Sequence, residues 1–233
     1  MNKFGEASPV TMLTLLEEAA SDHCTYIDRG LYDLYSQDIG WLLVSGYMRM
    51  KRYPGYKEKI TIRTWISELT ATRGYRDNIV YDEAGKIIGS AKGLWVFYDL
   101  KKRRPAKIFE DIHEKWPSYP SEDDHDIDQK ILPVQTILHR NKFRVHNFDM
   151  DANGHVNNLR YLQWALETIP EEIEKNYFLH SIDGRFVKEA HYGHEIESCT
   201  EVGNSETFFR HSINDLTNGY TCATGHTEWC KRK

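Results

Sequence analysis

The order of predicted elements in this 233-residue chain occurs twice. Apolar residues at helical spacing predict an amphipathic helix over 11–23. Four β-rich runs follow it, at 41–53, 59–69, 74–82 and 86–100. After residue 133 a strand over 135–146 and a helix over 155–169 precede four more strands, near 180–189, 194–202, 205–216 and 219–230. Each half therefore predicts a helix followed by an antiparallel sheet.

Individual residues also align between the two halves. The helices align at an offset of 146 residues, the next strands at 136 and the last hairpins at 134. The last offset places Gly85 on Gly219 and Trp95 on Trp229. A long helix packed on a curved antiparallel sheet is a hotdog unit, so we predict an α+β fold with two tandem hotdog units, a double hotdog.

An acidic stretch separates the two predicted units. Residues 111–130 are rich in Asp and Glu, and Pro105, Pro117 and Pro120 lie close by. We therefore predict an N-terminal hotdog over 1–112, a linker over 113–132 and a C-terminal hotdog over 133–233.

Composition excludes several classes of function. The net charge of −5 argues against bulk nucleic-acid binding. The four cysteines form no CxxC pair, which favours a reducing cytoplasm over a disulfide framework or a zinc site. Residues 1–10 contain no apolar signal segment. The longest apolar stretch, at 39–47, is too short for a membrane span.

The densest chemistry lies in a ten-residue loop, 149–158, before the second predicted helix. It contains Asp151, Asn153 and His155, which are an acid, an amide and a base close to a helix N-terminus. Free N–H groups and the partial positive charge of a helix N-terminus suit a developing oxyanion. The predicted backbone donors are those of Gly154, Val156 and Asn157. The alternative is structural, with Asp151 or Asn153 as an N-cap and His155 as a surface residue.

The first half provides an internal comparison for this loop. Opposite Asn153, His155 and Glu189 of the second half stand Ala7, Pro9 and Tyr53. The polar groups are absent from the first half although its pattern of helix and strands is the same. We therefore favour a functional role for the cluster, with Glu189 on a later strand as its further member.

These segments resemble one known family. Residues 149–158, Tyr161, Trp164 and 167–170 in the second half are similar to the catalytic loop and helix of the acyl-ACP thioesterases, the FatA/FatB type of plants and its bacterial relatives. The first half is similar to that family in several further segments: 16–23, 52–54, 64–65, Gly89 and 95–96.

The resemblance implies a double-hotdog enzyme of fatty acid biosynthesis that hydrolyses the thioester of a fatty acyl chain on acyl carrier protein. It implies an acyl-binding N-terminal half, a catalytic C-terminal half and no cofactor or metal. The family's catalytic Asp, Asn, His and Glu fall on Asp151, Asn153, His155 and Glu189. Many plant members have a cysteine after the glutamate, whereas this chain has Ala190, so we predict attack by water. Whether Glu189 or His155 is the base stays open.

Further expectations concern partners and alternatives. Basic residues are candidates for docking the acidic carrier protein and its phosphopantetheine: Lys101, Lys102, Arg103, Arg104, Lys142, Arg144 and Arg185. His191 and His194 have metal-like spacing without the further ligands of a zinc pattern. Alternative functions are a hotdog acyl-CoA thioesterase or hydratase, and a non-catalytic acyl-binding regulator. A homodimer is possible.

Overall fold

A computed structural model of the chain describes residues 1–151 and 154–232. The chain divides into two compact units, Met1–Asp128 and Gln129–Lys233. In the described residues no helix is long and apolar enough to cross a membrane. The four cysteines are free thiols.

The first unit contains three helices and five strands. The helices are α1 (Pro9–Tyr26), α2 (Leu31–Tyr35) and α3 (Glu110–Lys115). The strands are β1 (Ile39–Met50), β2 (Thr61–Leu69), β3 (Arg73–Tyr81), β4 (Ile87–Asp99) and the two-residue β5 (Arg104–Pro105). They form an antiparallel sheet in the order β2-β3-β4-β1, and β5 pairs with β4.

The local sequence explains the main helix and the tightest turn of this unit. Helix α1 begins after Ser8, whose side chain accepts a hydrogen bond from the Thr11 N–H at 3.1 Å, and Pro9 occupies the first turn, where its missing N–H costs nothing. The sequence Asp82-Glu-Ala-Gly85 predicts a hairpin turn between β3 and β4, and the structure has this turn. Gly85 has a φ of +76°, a conformation that glycine adopts without a steric penalty.

The described residues of the second unit contain two α-helices, one 3-10 turn (Asn147–Asp149) and five strands. The helices are α4 (Asn158–Leu166) and α5 (Glu171–Asn176). The strands are β6 (His139–Arg144), β7 (Tyr177–Phe186), β8 (Glu195–Val202), β9 (Phe208–Asp215) and β10 (Tyr220–Lys231). They form an antiparallel sheet in the order β7-β10-β9-β8-β6.

The two sheets confirm the predicted duplication. The strands β1, β4, β3 and β2 lie in the same order as β7, β10, β9 and β8, and each sheet has a helix against it. The fold is therefore a double hotdog. The second helix differs from the prediction because it begins at Asn158, not at residue 155. Asn157 caps it by accepting the Leu159 N–H at 2.8 Å, and the loop before it forms a bridge between Met150 and Val156.

The predicted linker, 113–132, packs closely against its neighbours. Its first residues belong to α3, and Trp116, Ile127 and Ile131 are buried. In the first unit the Ser90 hydroxyl donates to the Asp123 carboxylate at 2.9 Å. In the second unit the Arg185 side chain donates to the Gln129 carbonyl at 2.8 Å. The acidic composition of this segment therefore does not make it a free tether, and the proposed domain boundaries stay a prediction.

A buried histidine on β9 is held neutral by its surroundings. His211 is 2% exposed, and its two ring nitrogens contact the hydroxyls of Thr200 at 3.0 Å and Thr227 at 2.8 Å. Burial and, to a smaller extent, the charge of His226 lower the pKa of His211 to about 3. The protonated form of this residue is therefore strongly disfavoured in the folded chain.

This histidine is expected to make the chain less stable in acid. Its folded pKa of about 3 lies below the ordinary value of 6.5, so between these values the unfolded chain binds one more proton. The stability from neutral His211 is complete above pH 6.5 and is lost as the pH falls toward 3, by on the order of 1 kcal/mol per pH unit. Urea unfolding from pH 7 to pH 4 should show a shallower decline for His211→Gln. Equal slopes for the two forms would contradict this role of His211.

Candidate active site

The centre of the candidate site is a histidine–glutamate pair. His155 Nε2 lies 3.2 Å from Glu189 Oε2, although 34 residues separate the two in sequence. Their side chains are 22% and 35% exposed, so both are partly screened from water and still accessible to a substrate. When Glu189 is ionised this contact requires the proton on His155 Nε2, which leaves Nδ1 as an acceptor. The pair can therefore accept a proton from water at either member.

The loop before α4 holds the histidine in place. The Asp151 carboxylate accepts the His155 N–H at 3.1 Å, and the Asp151 N–H donates to the His155 carbonyl at 2.7 Å. Gly154 has a φ of +73°, which closes this turn and which other residues adopt only with strain. Asp151 therefore positions His155. Asn153, the predicted catalytic amide, lies outside the described residues.

The predicted oxyanion donors need correction. The Gly154 N–H donates to the Asp151 carbonyl at 3.1 Å, the Val156 N–H to Ala190 at 3.4 Å and the Asn157 N–H to Asp149 at 2.8 Å. All three N–H groups therefore already donate to a carbonyl oxygen, two within the loop and one at Ala190, because the helix starts three residues later than predicted.

Asn158 is the first residue of the helix, and its amide is the better candidate. This N–H donates to no other residue in the described part of the chain. It also lies at the positive end of the α4 dipole.

Two tyrosines hold the peptide bond that follows Glu189. The Ala190 N–H donates to the Tyr161 hydroxyl oxygen at 2.9 Å, and the Tyr220 hydroxyl donates to the Glu189 carbonyl at 2.8 Å. Both polar groups of this one peptide unit are therefore bound. Glu189 lies in a loop after β7, so this clamp supplies the rigidity that a strand would otherwise give. The sequence did not indicate this role, because it depends on contacts 29 and 31 residues apart.

Removing one hydroxyl of the clamp should weaken both fold and site. Tyr161→Phe would leave the Ala190 N–H, on a residue that is 0% exposed, without its acceptor, and an unsatisfied buried donor costs about 1–3 kcal/mol. We expect a lower free energy of unfolding in urea and a lower kcat. Tyr192→Phe, at an exposed position, is the control. A Tyr161→Phe variant as stable and active as this control would contradict the clamp.

The two histidines with metal-like spacing contact each other, but their other neighbours differ. The His191 ring lies 5.7 Å from the His155 ring and 5.4 Å from the His194 ring, each in an edge-to-face arrangement. His194 Nδ1 lies 2.8 Å from the Asp215 carboxylate. Among the described residues no three His, Cys, Asp or Glu side chains are arranged to hold a metal ion. His191 thus forms one wall beside His155, and His194 is part of the β8–β9 packing.

The candidate docking residues lie in three places. Lys101, Lys102 and Arg103 are exposed in the turn between β4 and β5, and Arg104 is exposed as the first residue of β5. Lys102 Nζ pairs with Asp99 at 3.0 Å. Lys142 and Arg144 are exposed on β6, opposite Glu197 and Glu195 of β8.

Arg185 differs from the other candidates because its side chain is buried. It is 8% exposed and pairs with Asp183, so it is not available on the surface of its unit. We therefore drop it from the docking candidates.

Comparison with known proteins identifies the family. Residues 4–116 match the acyl-ACP thioesterase N-terminal domain, and residues 135–231 match the acyl-ACP thioesterase C-terminal domain. The chain belongs to the acyl-ACP thioesterase family. Among its relatives in this family, the chloroplastic acyl-[acyl-carrier-protein] hydrolase FATB3 of Cuphea viscosissima is 26% identical, over 96% of this chain and 58% of that protein. A chloroplastic palmitoyl-acyl carrier protein thioesterase of Cuphea hookeriana is 27% identical with the same coverage. The chain thus spans 58% of the length of these two relatives.

Solved structures of acyl-ACP thioesterases share the fold. The 12:0-ACP thioesterase from Umbellularia californica has a TM-score of 0.88 at 21% identity, over 100% of this chain and 93% of that one. An acyl-ACP thioesterase from Bacteroides thetaiotaomicron has a TM-score of 0.88 at 20% identity, over 99% and 93%. At these sequence identities the structural similarity supports the double-hotdog fold and no finer property.

Proposed function

We propose that this chain hydrolyses the thioester of fatty acyl-ACP and releases a free fatty acid. The observation that carries the proposal is the contact of 3.2 Å between His155 and Glu189, in a chain whose two halves both match this family. The internal comparison adds support, since the two units share one strand order and the first has Tyr53 where the second has Glu189, each three residues after its strand, β1 or β7.

The proposed reaction uses water as the nucleophile. The His155–Glu189 pair takes a proton from water while the water oxygen attacks the thioester carbonyl carbon. The negative charge that develops on the carbonyl oxygen is held by the Asn153 amide and the Asn158 N–H at the start of α4. The C–S bond then breaks, and the proton returns to the departing phosphopantetheine thiolate. The products are the fatty acid and the carrier protein with a free thiol.

The thiols of the second unit favour water over a cysteine nucleophile. Position 190 is alanine, so no thiol follows Glu189. The nearest alternative along the sheet is Cys222, whose backbone carbonyl accepts the N–H groups of Val187 and Lys188. Burial raises the pKa of the Cys222 thiol to about 12, which leaves almost no thiolate at neutral pH.

Expression in a bacterial host tests the activity together with its chain-length preference. Wild-type protein should raise the free fatty acid content of the culture, with a bias toward particular chain lengths, and Glu189→Gln expressed at the same level should not. An increase that is equal for both forms would overturn the proposed site. We also propose a cytoplasmic location for this chain, and the bacterial cytoplasm provides the same reducing conditions.

The proposed docking residues form two separate segments, each within one unit: the exposed residues 101–104 of the first unit, and Lys142 and Arg144 on β6 of the second. Lys101→Glu and Arg104→Glu together should raise KM for acyl-ACP roughly fivefold at low salt and leave kcat unchanged, because exposed charges guide association. Steady-state kinetics with acyl-ACP and acyl-CoA measure this effect, which should be absent for the CoA thioester. Lys175→Glu on α5 together with Lys86→Glu, both at exposed positions, is the control, because it changes the net charge by the same amount. An identical rise for both substrates would contradict carrier-protein docking at this turn.

A further inference from the structure

A cavity in the first unit contains a buried cation. The cavity has a volume of about 140 Å³ and lies between α1, the sheet and the segment around Trp116. Its walls include Ala20, Trp41 and Arg76. Arg76 is 5% exposed. A bound alkyl chain would fill the space but would not neutralise the Arg76 guanidinium. Alkyl binding alone therefore does not explain why a cation lies in this cavity.

No carboxylate neutralises this arginine among the described residues. Its guanidinium donates to His23 Nδ1 at 3.0 Å and to the Thr64 hydroxyl at 2.9 Å, and it lies 5.5 Å from the Trp116 ring centroid. Burial and the charge of Arg76 lower the pKa of His23 to about 4, so His23 is a neutral acceptor. A buried charge with only neutral partners is costly, which is why buried charges are normally paired.

Three further donors, on other lining residues, have no acceptor. The indole N–H groups of Trp41 and Trp116 and the Nε–H of Arg29 are buried and donate to nothing in the described part of the chain. The acceptors of the lining are the half-exposed carboxylate of Glu17 and the hydroxyl of Ser21. Buried donors without a protein partner are rare in native proteins, and such donors often bind a water molecule or an ion. The residues around the cavity therefore contain more buried donors than acceptors, although the surface that faces the cavity is mostly apolar.

In the second unit the equivalent position lies beside a much smaller cavity. Arg76 is the fourth residue of β3 and pairs with Gly93, and His211 is the fourth residue of β9 and pairs with Gly225. His211 is neutral and has a hydroxyl at each ring nitrogen. The cavity beside it has a volume of about 20 Å³, room for about one water molecule. The fold therefore does not require a charge at this position.

We infer that the cavity of the first unit binds the carboxylate of an aliphatic acid, with Arg76 as its charge partner. A cavity of about 150 Å³ accommodates a group the size of benzene, so the enclosed part of the ligand is about six heavy atoms. That is a carboxylate and about three further carbons. The carboxylate comes either from a free fatty acid or from the far end of an acyl chain that carries one. Binding at Arg76 does not depend on hydrolysis by His155 and Glu189.

Titration of the full-length protein with sodium hexanoate tests the site. The first readout is the NMR signals of the Trp41 and Trp116 indole N–H groups in ¹⁵N-labelled protein, assigned with Trp→Phe variants. The second is the affinity measured by calorimetry. We expect these two signals to shift and hexan-1-ol to bind roughly 10- to 100-fold more weakly, because a charged hydrogen bond is lost. Arg76→Met should show the same loss for hexanoate, whereas Arg73→Met, at an exposed position of the same strand, should bind as wild type does.

Two further arms complete the experiment. Ala20→Leu narrows the cavity without changing its charge and should also weaken hexanoate binding. This variant replaces Arg76→Met in the test if Arg76→Met fails to fold. A carrier-protein thioester with a terminal carboxylate, compared with its plain acyl counterpart, distinguishes the two sources of the carboxylate. A higher kcat/KM for the former assigns the site to substrates, and equal or lower values assign it to free acids. Absence of hexanoate binding, or equal binding of hexanoate and hexan-1-ol by wild type, would overturn the inference.

Discussion

His155→Ala is expected to lower kcat for acyl-ACP hydrolysis by about 10²- to 10⁴-fold, the range that a positioned acid–base group contributes. The imidazole lies 3.2 Å from Glu189, so its removal takes away one member of the pair that accepts the proton of water. The side chain is 22% exposed and lies outside the core cluster of the second unit, so the fold should persist. Steady-state kinetics and thermal unfolding of the same preparation separate the two effects.

The control for this variant is His139→Ala, an exposed histidine on β6. It should keep wild-type kcat and wild-type Tm. If His155→Ala retained full activity while remaining folded, the assignment of the loop before α4 as the catalytic loop would be wrong.

Glu189→Gln should lower kcat by a similar factor, about 10²- to 10⁴-fold, although it changes only one atom of the side chain. The amide oxygen can still accept a hydrogen bond from His155 Nε2, so the loop should stay in place while the negative charge is lost. Single-turnover kinetics with acyl-ACP measure the chemical step directly. Glu195→Gln on β8, which is exposed, is the matched control.

The double variant adds a test of the pair as a unit. Groups that act together are not additive, so His155→Ala with Glu189→Gln should be no worse than roughly tenfold below the slower single variant. The sizes of the single effects also assign the base. A larger loss for Glu189→Gln indicates that the glutamate takes the proton, and a smaller one indicates that it orients His155. If the fold-loss in kcat of the double variant equalled the product of the two single fold-losses, a shared role of His155 and Glu189 would be contradicted.

The sequence predicted the elements that have a strong local signal. The periodicity of Met12, Leu16 and Ala20 marked α1, and Gly85 marked the turn between β3 and β4. The short helices α2, α3 and α5 were missed, because five or six residues show too little periodicity. The start of α4 was placed too early, since Asn157 caps the helix after a loop closed by Asp151. That error also misassigned the oxyanion amides.

The loop around His155 was conspicuous in the local sequence, but its connection to Glu189 came from the comparison of the two halves and from the family resemblance. Glu189 lies 34 residues beyond His155, and no local pattern connects the two. The clamp from Tyr161 and Tyr220 and the buried charge of Arg76 depend on strand register and on contacts far apart in sequence. The internal comparison was informative because the two sheets share one strand order. At the equivalent positions three residues after β1 and β7, the first unit has Tyr53 and the second has Glu189.

Hydrolysis of matched acyl-ACP and acyl-CoA thioesters by the purified protein tests the central claim most directly. Both substrates carry the same acyl chain, and kcat/KM is measured at several salt concentrations. We expect hydrolysis of both at the His155–Glu189 pair, with a clear preference for acyl-ACP that falls as salt screens the docking charges. A clear preference for acyl-CoA, or acyl binding without turnover, would contradict the proposed function.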